Sequence, residues 1–211
     1  MSYYKLLYQS DCFGCLFEEE NGSLEFNHNV VECENYLSLY AIYVTNLTFT
    51  ENYFNKSLNI SYGNGSLKLN SNIIHGNMDV SFDSIDMINN LIGDSATYPF
   101  DQNQFNGGYN INASNNTFFN YMQFNYPNAG TFNGNSFAKL DVNYPGSMKF
   151  YNNLFNGILF VGYAGNMDVR GNRFHDKVYM DFCNFGSSNQ FYNNFVFDDF
   201  EMKTAKYWDI A

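Results

Sequence analysis

The four cysteines are the first residues in this sequence that could do chemistry. Cys12 and Cys15 form a C-x-x-C pair, and Cys33 and Cys183 stand alone. A structural zinc site would need two further ligands at short spacing, and neither a second C-x-x-C nor a histidine pair follows. A redox C-x-x-C usually opens a helix in a β-α-β unit, a pattern absent here. We expect reduced cysteines and no metal, with a redox role, a metal role or a disulfide as less favoured alternatives.

The other reactive residue types form no catalytic constellation. His28, His75 and His175 lie far apart in the sequence, so no Ser-His-Asp or Cys-His arrangement can be argued from them. No glycine-rich phosphate loop follows a strand and opens a helix. We predict a protein that is not an enzyme, with no catalytic residue and no cofactor.

The charge balance excludes one class of partner. The 211 residues include 21 acids and 10 bases, a formal net charge of −11. Nucleic-acid binding needs clustered Lys and Arg that release counterions, so we expect no direct nucleic-acid binding. A hydrophobic content of 45% is too high for a disordered acidic chain. Because no signal-peptide core and no apolar run of about 18 residues is present, we predict a cytoplasmic protein without a membrane partner.

Any site must be positioned by a repeat that organises the chain. An Asn with an apolar residue two places later recurs every 18 to 26 residues. Apolar residues alternate with polar ones on both sides of each anchor, which is the period of a β-strand. The alternation also assigns Tyr126, Tyr144 and Tyr163 to the inward series. The nine anchors are Asn29, Asn52, Asn72, Asn90, Asn116, Asn135, Asn153, Asn172 and Asn194.

A repeat of this length cannot bury its apolar face alone, so the repeats must stack. The coils would lie ~4.8 Å apart and pair through their backbones. Asn suits the corner because it tolerates left-handed backbone geometry, and its amide can donate to one neighbouring Asn and accept from the other. We predict an all-β, single-domain parallel β-helix, or β-solenoid, of about nine to ten coils.

The Asn-x-apolar corner after an apolar-x-apolar strand resembles the right-handed parallel β-helix proteins of the pectate-lyase-like superfamily, over roughly residues 24–204. The resemblance implies a right-handed solenoid and leaves activity open, since this fold hosts lyases, hydrolases, phage tail spikes and inert scaffolds. Coils of 18 to 20 residues are short for that family, which keeps a left-handed solenoid as an alternative. Within one domain over 1–211, we expect an imperfect first coil or cap over 1–23, regular coils over 24–202 and a C-terminal cap or tail over 203–211.

Two breaks in the period should emerge as loops on the side of the solenoid. The first runs from Asp101 to Asn110, and the second from Cys183 to Ser188.

A binding site must use side chains that point outward between the apolar positions. Phe160 and Tyr179 should lie side by side on adjacent coils, with Asp141, Asp181 and Glu201 around them. We predict that these five residues form a partner surface, because paired aromatics offer a large contact area and acids steer a basic partner. Asp181 and Glu201 should be ~8 Å apart, a gap that would also suit an inverting glycosidase.

Three classes of function remain open. We favour a non-catalytic acidic solenoid that binds a protein partner, as an inhibitor or decoy of a basic, nucleic-acid-handling protein of the kind that viral or phage proteins target. The alternative is a carbohydrate-binding or carbohydrate-cleaving module, phage-spike-like or pectate-lyase-like, which as an enzyme would be a polysaccharide lyase or glycoside hydrolase. The third is a structural solenoid that associates end to end or laterally with its own copies.

Overall fold

The computed structural model describes residues 15–18, 22–34, 36–42, 44–61, 63, 65–94, 102–106, 110–181, 189–203 and 208–210. Within these residues every strand pairing is parallel and no helix forms. The described residues therefore contain no helix that could span a membrane. The strands stack as a β-solenoid of about eight turns. The predicted all-β solenoid is therefore confirmed. The expected nine to ten coils included the terminal segments over 1–23 and 203–211, which lie largely outside the described residues.

One strand of each coil joins a ten-stranded sheet, here called sheet 1. Its strands are β2 (Ser23–Asn27), β5 (Asn46–Thr50), β8 (Ser66–Asn70), β11 (Ser84–Ile88), β14 (Asn110–Ser114), β16 (Ala129–Asn133), β18 (Ser147–Tyr151), β21 (Asn166–Arg170), β24 (Asn189–Tyr192) and β27 (Trp208–Ile210).

After a corner at the anchor Asn, the chain enters a seventeen-stranded sheet, here called sheet 2. Its two-residue strands follow the corner directly and its longer strands come next, except where β15 and β17 run through both parts. Its strands are β1 (Cys15–Glu18), β3 (Val30–Val31), β4 (Tyr36–Ile42), β6 (Tyr53–Phe54), β7 (Ser57–Ser61), β9 (Ile73–Ile74), β10 (Met78–Val80), β12 (Leu91–Ile92), β13 (Gln102–Asn106), β15 (Thr117–Asn125), β17 (Ser136–Asn143), β19 (Leu154–Phe155), β20 (Leu159–Gly162), β22 (Arg173–Phe174), β23 (Val178–Asp181), β25 (Phe195–Val196) and β26 (Phe200–Lys203).

The core consists of apolar side chains that repeat at the same place in each coil. The residue two places after the anchor forms a phenylalanine ladder through Phe118, Phe137, Phe155 and Phe174, with ring centroids 5.0, 5.2 and 4.7 Å apart. All four rings are buried. Stacking thus buries a face that one coil would leave exposed, and it adds ring-to-ring attraction to the hydrophobic effect.

The predicted asparagine ladder is confirmed and runs from Asn29 to Asn194. At Asn135, the backbone N–H and the Nδ2 group donate to Oδ1 of Asn153 at 2.9 and 3.0 Å. Its own Oδ1 accepts the same two bonds from Asn116, both at 2.9 Å. Its Nδ2 group also donates to the Ala113 carbonyl at 2.9 Å. Every polar group of this buried carboxamide therefore has a partner.

The left-handed residue of the corner is the one before the anchor, not the anchor itself. This corrects our explanation of why Asn recurs there: its role is the ladder, and its neighbour makes the turn. The nine residues with a φ between 54° and 67° at this corner are His28, Glu51, Ser71, Asn89, Asn115, Gly134, Asn152, Gly171 and Asn193.

The predicted loop from Asp101 to Asn110 is wrong in part, because Gln102–Asn106 is strand β13. In β13, Gln104 pairs with Asp79 on one side and with Gln123 on the other, so the strand continues sheet 2. The extra residues of this coil must therefore precede the strand. The second predicted loop, Cys183 to Ser188, lies outside the described residues.

Cys33 is disulfide-bonded, which corrects the expectation of reduced cysteines. Whether two cysteines can form a disulfide depends on how closely their Cα atoms approach, and sequence spacing does not reveal that distance between coils.

Candidate functional site

The register of sheet 2 places the predicted aromatic pair on its outer face. Phe160 in β20 pairs with Tyr179 in β23. Asp141 is the next rung on one side, and Glu201 is the next on the other. Four consecutive coils therefore present acid, aromatic, aromatic and acid in one column. We call Asp141, Phe160, Tyr179 and Glu201 the aromatic column.

Asp181 lies two residues after Tyr179, at the end of β23. Its register partner in β26 is Lys203, whereas Glu201 pairs with Tyr179. Asp181 and Glu201 thus lie on adjacent coils and two positions apart, as the register predicts. All five predicted partner residues are half-buried rather than fully exposed, because each outward side chain lies between neighbours only ~4.8 Å away.

Asp141 is engaged within its own sheet. The Tyr121 hydroxyl donates to Oδ2 of Asp141, and Lys139 Nζ lies 3.8 Å from the same oxygen. The ammonium also lies 3.9 Å from the centre of the Tyr121 ring. Burial, reinforced by Asp141, raises the pKa of the Tyr121 hydroxyl well above its usual range. Asp141 is therefore suited to shape the local field rather than to contact a ligand directly.

The absence of a side chain at Gly162 leaves room for the Phe160 ring. A Cβ atom at Gly162 would lie 3.0 Å from the ring, so the ring leans along the strand over a residue without a side chain. It is thereby directed toward the corner that follows β20.

That corner carries exposed tyrosines that the sequence pattern assigned inward. Tyr126, Tyr144 and Tyr163 are 67%, 49% and 43% exposed, with φ values of 59°, 55° and 59°. Their rings stack on successive coils, with centroids 5.2 and 4.7 Å apart and interplanar angles of 12° and 7°. We call these three residues the Tyr corner.

A local signal for this turn does exist in the sequence. Pro127 follows Tyr126 and Pro145 follows Tyr144. Because proline cannot donate to a sheet ladder, it ends a strand, and the alternation of inward and outward residues need not continue past it. The inward assignment failed because it extended a period of two into the turn.

The outer face of sheet 1 carries a charged cluster around Arg170. The guanidinium carbon lies 4.6 Å from the centre of the Tyr192 ring and 5.8 Å from that of Tyr151. Arg170 Nε donates to Asp168, which also accepts a bond from the Tyr151 hydroxyl at 2.8 Å. Burial, as the larger cause, and the hydrogen bond to Asp168 together raise the pKa of Tyr151 to about 12. A shallow depression of about 270 Å³, bordered by Lys149, adjoins the cluster.

The histidines do not converge in the structure. His75 packs edge-on against Tyr53 and His175 against Phe197, with ring centroids 5.3 and 5.0 Å apart. His28 Nδ1 lies 2.8 Å from a Glu51 carboxylate oxygen. Among the described residues, no group of three or more His, Cys, Asp and Glu side chains could hold a metal ion.

Comparisons with protein-family models, with curated proteins and with solved structures find no match to this chain. The assignment of a parallel solenoid therefore rests on the strand pairing of this chain alone. The resemblance to the pectate-lyase-like superfamily stays a prediction.

Proposed function

We propose that this protein is a non-catalytic binding scaffold that engages a basic protein partner through the outer face of sheet 2. The observation that carries the proposal is the aromatic column, in which the paired Phe160 and Tyr179 are bracketed by Asp141 and Glu201. Aromatic side chains are frequent energetic centres of protein interfaces because they bury a large area with few rotatable bonds.

The acids serve a different purpose from the aromatics. Carboxylates around an aromatic centre accelerate encounter with a positively charged surface, and they add specificity more than affinity. The formal net charge of −11 extends this attraction over the whole molecule. A partner with a basic, nucleic-acid-binding surface has the matching charge, so the scaffold would act as its inhibitor or decoy.

Carbohydrate binding is the second candidate, and the exposed aromatic rings of the Tyr corner are the observation that suggests it. Sugar rings pack against the faces of aromatic rings, however, and stacking at about 5 Å covers the faces between neighbouring rungs. The edges and hydroxyl groups remain the accessible parts of the ladder. This geometry makes a stacked-sugar site less favourable than a protein interface.

The same proposal includes a right-handed winding of the coils. Two adjacent parallel strands of sheet 1 are joined through sheet 2, for example β5 to β8 through β6 and β7. Connections between parallel strands of one sheet are right-handed in nearly all known proteins, because strand twist favours that sense.

The test compares binding by two matched double variants. Immobilised protein captures partners, and each purified partner is then titrated against the wild type, against Phe160→Ala with Tyr179→Ala, and against Phe195→Ala with Phe197→Ala. The second pair removes two exposed aromatics, one in β25 and one just after it, outside the aromatic column. We expect the first pair to weaken binding at least tenfold, with a melting temperature within a few degrees of wild type, and the second pair to leave affinity unchanged.

Salt and glycan measurements decide between the two candidate functions. For a basic partner, the association rate should fall as salt is raised from about 50 to 500 mM, because the steering is electrostatic. Equal affinity of wild type and the Phe160/Tyr179 variant for every purified partner would overturn the proposal. Saturable binding to an oligosaccharide array that is lost in Tyr144→Asn would replace it with carbohydrate recognition at the Tyr corner.

A further inference from the structure

The Tyr corner lies in segments without charged residues, and this neutral strip ends at Asp181, which pairs with Gly162 on the coil after Tyr163. No charged residue occurs in the segments 122–138, 142–148 and 161–167, which contain the three tyrosines. A ladder of neutral amides adjoins them: Asn125 Nδ2 donates to Asn106 Oδ1 at 3.0 Å, and Asn143 Nδ2 donates to Asn125 Oδ1 at 3.1 Å. A strip that is aromatic, exposed and neutral thus runs along one edge of the solenoid.

The backbone of these tyrosines indicates that their rings serve a purpose. A bulky residue with positive φ is an outlier, because the left-handed conformation is strained for residues with a Cβ atom. The corner before the anchor places asparagine four times and glycine twice at its left-handed position. At the Tyr corner the chain carries an aromatic residue three times. Strain of this kind is typical of sites with a function that requires the side chain.

We propose that the Tyr corner is a self-association surface, which packs against the Tyr corner of a second copy of this chain in an antiparallel, two-fold symmetric dimer. Charge is the first reason to choose a second copy. Two molecules of net charge −11 repel each other over most of their surface, and this corner brings them together without adding a pair of like charges. A basic partner would find no carboxylate to pair with in these segments, and the aromatic column suits it better.

Periodicity is the second reason. Both copies repeat their tyrosines at the same rise per coil, so the ring edges and hydroxyl groups of all three rungs can meet in register along the shared edge. A partner without this spacing would match fewer rungs. A two-fold axis through the central rung makes the same patch complementary to itself, which is how closed homodimers form.

The size of the strip predicts a weak dimer. Three rungs separated by 5.2 and 4.7 Å give a contact shorter than most stable interfaces, below about 1,200 Å² of total buried surface. Because the two copies carry like charges, screening by salt should strengthen the association. The proposed basic partner responds in the opposite direction, so failure of one proposal can be distinguished from failure of the other.

Sedimentation equilibrium over a wide range of protein concentration tests the proposal. The samples are the wild type, Tyr144→Asn and the control Phe197→Asn, each at about 50 and 500 mM salt. Asparagine tolerates the left-handed conformation, so the Tyr144 variant should fold. Phe197 is 68% exposed on another corner. We expect a monomer–dimer equilibrium that tightens with salt, weakens at least tenfold in Tyr144→Asn and is unchanged in Phe197→Asn.

Two results would overturn the proposal. One is a wild type that stays monomeric at the highest concentration and salt. The other is a dimer that forms equally well in Tyr144→Asn and in a second variant, Tyr126→Asn, which would place the interface elsewhere. Circular dichroism of each variant verifies that a loss of association is not a loss of fold.

Discussion

Asparagine carries two separate tasks in this protein, and they fall on neighbouring residues. The anchor Asn lies inside the ladder, where the carboxamide of Asn135, for example, bonds backbone groups of the preceding coil. The residue before it makes the left-handed turn and is exposed at Asn115, Asn152 and Asn193. Asparagine suits both places, for hydrogen bonding in the first and for conformational tolerance in the second.

The ladder predicts a large difference between a buried and an exposed asparagine. Asn135→Ala leaves the backbone N–H and the Nδ2 group of Asn116 without their acceptor in the core, so we expect a loss of about 1 to 3 kcal/mol in the free energy of unfolding. Asn156→Ala is the control, because Asn156 is exposed and its side chain donates one bond, at 3.3 Å. Urea unfolding measures both variants. Equal losses would contradict a stabilising ladder.

The phenol of Tyr151 predicts a pH dependence of stability. Burial and Asp168 raise its pKa from 10.0 to about 12. A raised pKa means that the folded state favours the protonated phenol, so this stabilisation is complete below pH 10.0 and is lost as the pH rises to about 12. Between these values, wild type should lose more stability than Tyr151→Phe in urea unfolding. Parallel pH profiles would rule out this contribution.

A second variant separates the two causes of that shift. Asp168→Asn removes the charge that accepts the Tyr151 hydrogen bond. Because burial is the larger cause, we expect the pKa of Tyr151 to fall only part of the way toward its ordinary value. The measurement is a pH titration of ultraviolet absorbance, in which each protein is compared with the same protein carrying Tyr151→Phe.

At the scale of the element, the corner before the anchor combines a backbone requirement with a packing requirement. Asn115 and Gly134 occupy the left-handed position of adjacent coils, as do Asn152 and Gly171. A Cβ atom on either glycine would lie 2.6 Å from the Oδ1 atom of the Asn on the coil before it. From Asn115 to Asn193, asparagine and glycine alternate at this position, and each of the two glycines leaves space for the side chain of the preceding Asn.

This alternation predicts coupling between adjacent corners. Gly134→Ala should destabilise the protein by about 1 to 2 kcal/mol, because alanine is strained at a positive φ. The loss should be smaller when Asn115→Gly is present, since the crowded carboxamide is then removed. Urea unfolding of both single variants and the double variant forms the thermodynamic cycle. Strictly additive effects would show that the two corners do not interact.

At the scale of the whole molecule, the solenoid is a stack in which each coil contacts mainly its neighbours. Its surface chemistry is therefore arranged in columns. The aromatic column lies on sheet 2, the Arg170 cluster on sheet 1 and the Tyr corner where sheet 2 ends. The molecule thus offers three surfaces of different charge: the first is acidic and aromatic, the second is mixed in sign, and the third is neutral.

The net charge predicts the behaviour of the molecule toward nucleic acid. A charge of −11 opposes approach to phosphates, so duplex DNA should not shift the protein in a gel at physiological salt. We expect any dissociation constant to be weaker than about 1 µM. A basic DNA-binding protein on the same gel is the positive control. Salt-sensitive binding tighter than that limit would contradict the charge argument.

Sequence alone determined the stacking because the fold is nearly one-dimensional. In a solenoid, residues one repeat apart in the chain become neighbours in space, so the spacing of Asn135 and Asn153 already encodes their hydrogen bond. The same logic placed Phe160 beside Tyr179. The anchors, the parallel strands and the aromatic column therefore followed from register.

Tertiary structure decided what depends on backbone dihedrals and on distances between coils. The alternation of a strand stops at a turn, so it could not show that Tyr144 leaves the core with a φ of 55°. Nor could it place the extra residues of one coil before β13, or show that Cys33 is disulfide-bonded. The repeat specifies which residues are neighbours. The direction of a side chain at a corner depends on local backbone torsion angles, and the repeat spacing does not specify these angles.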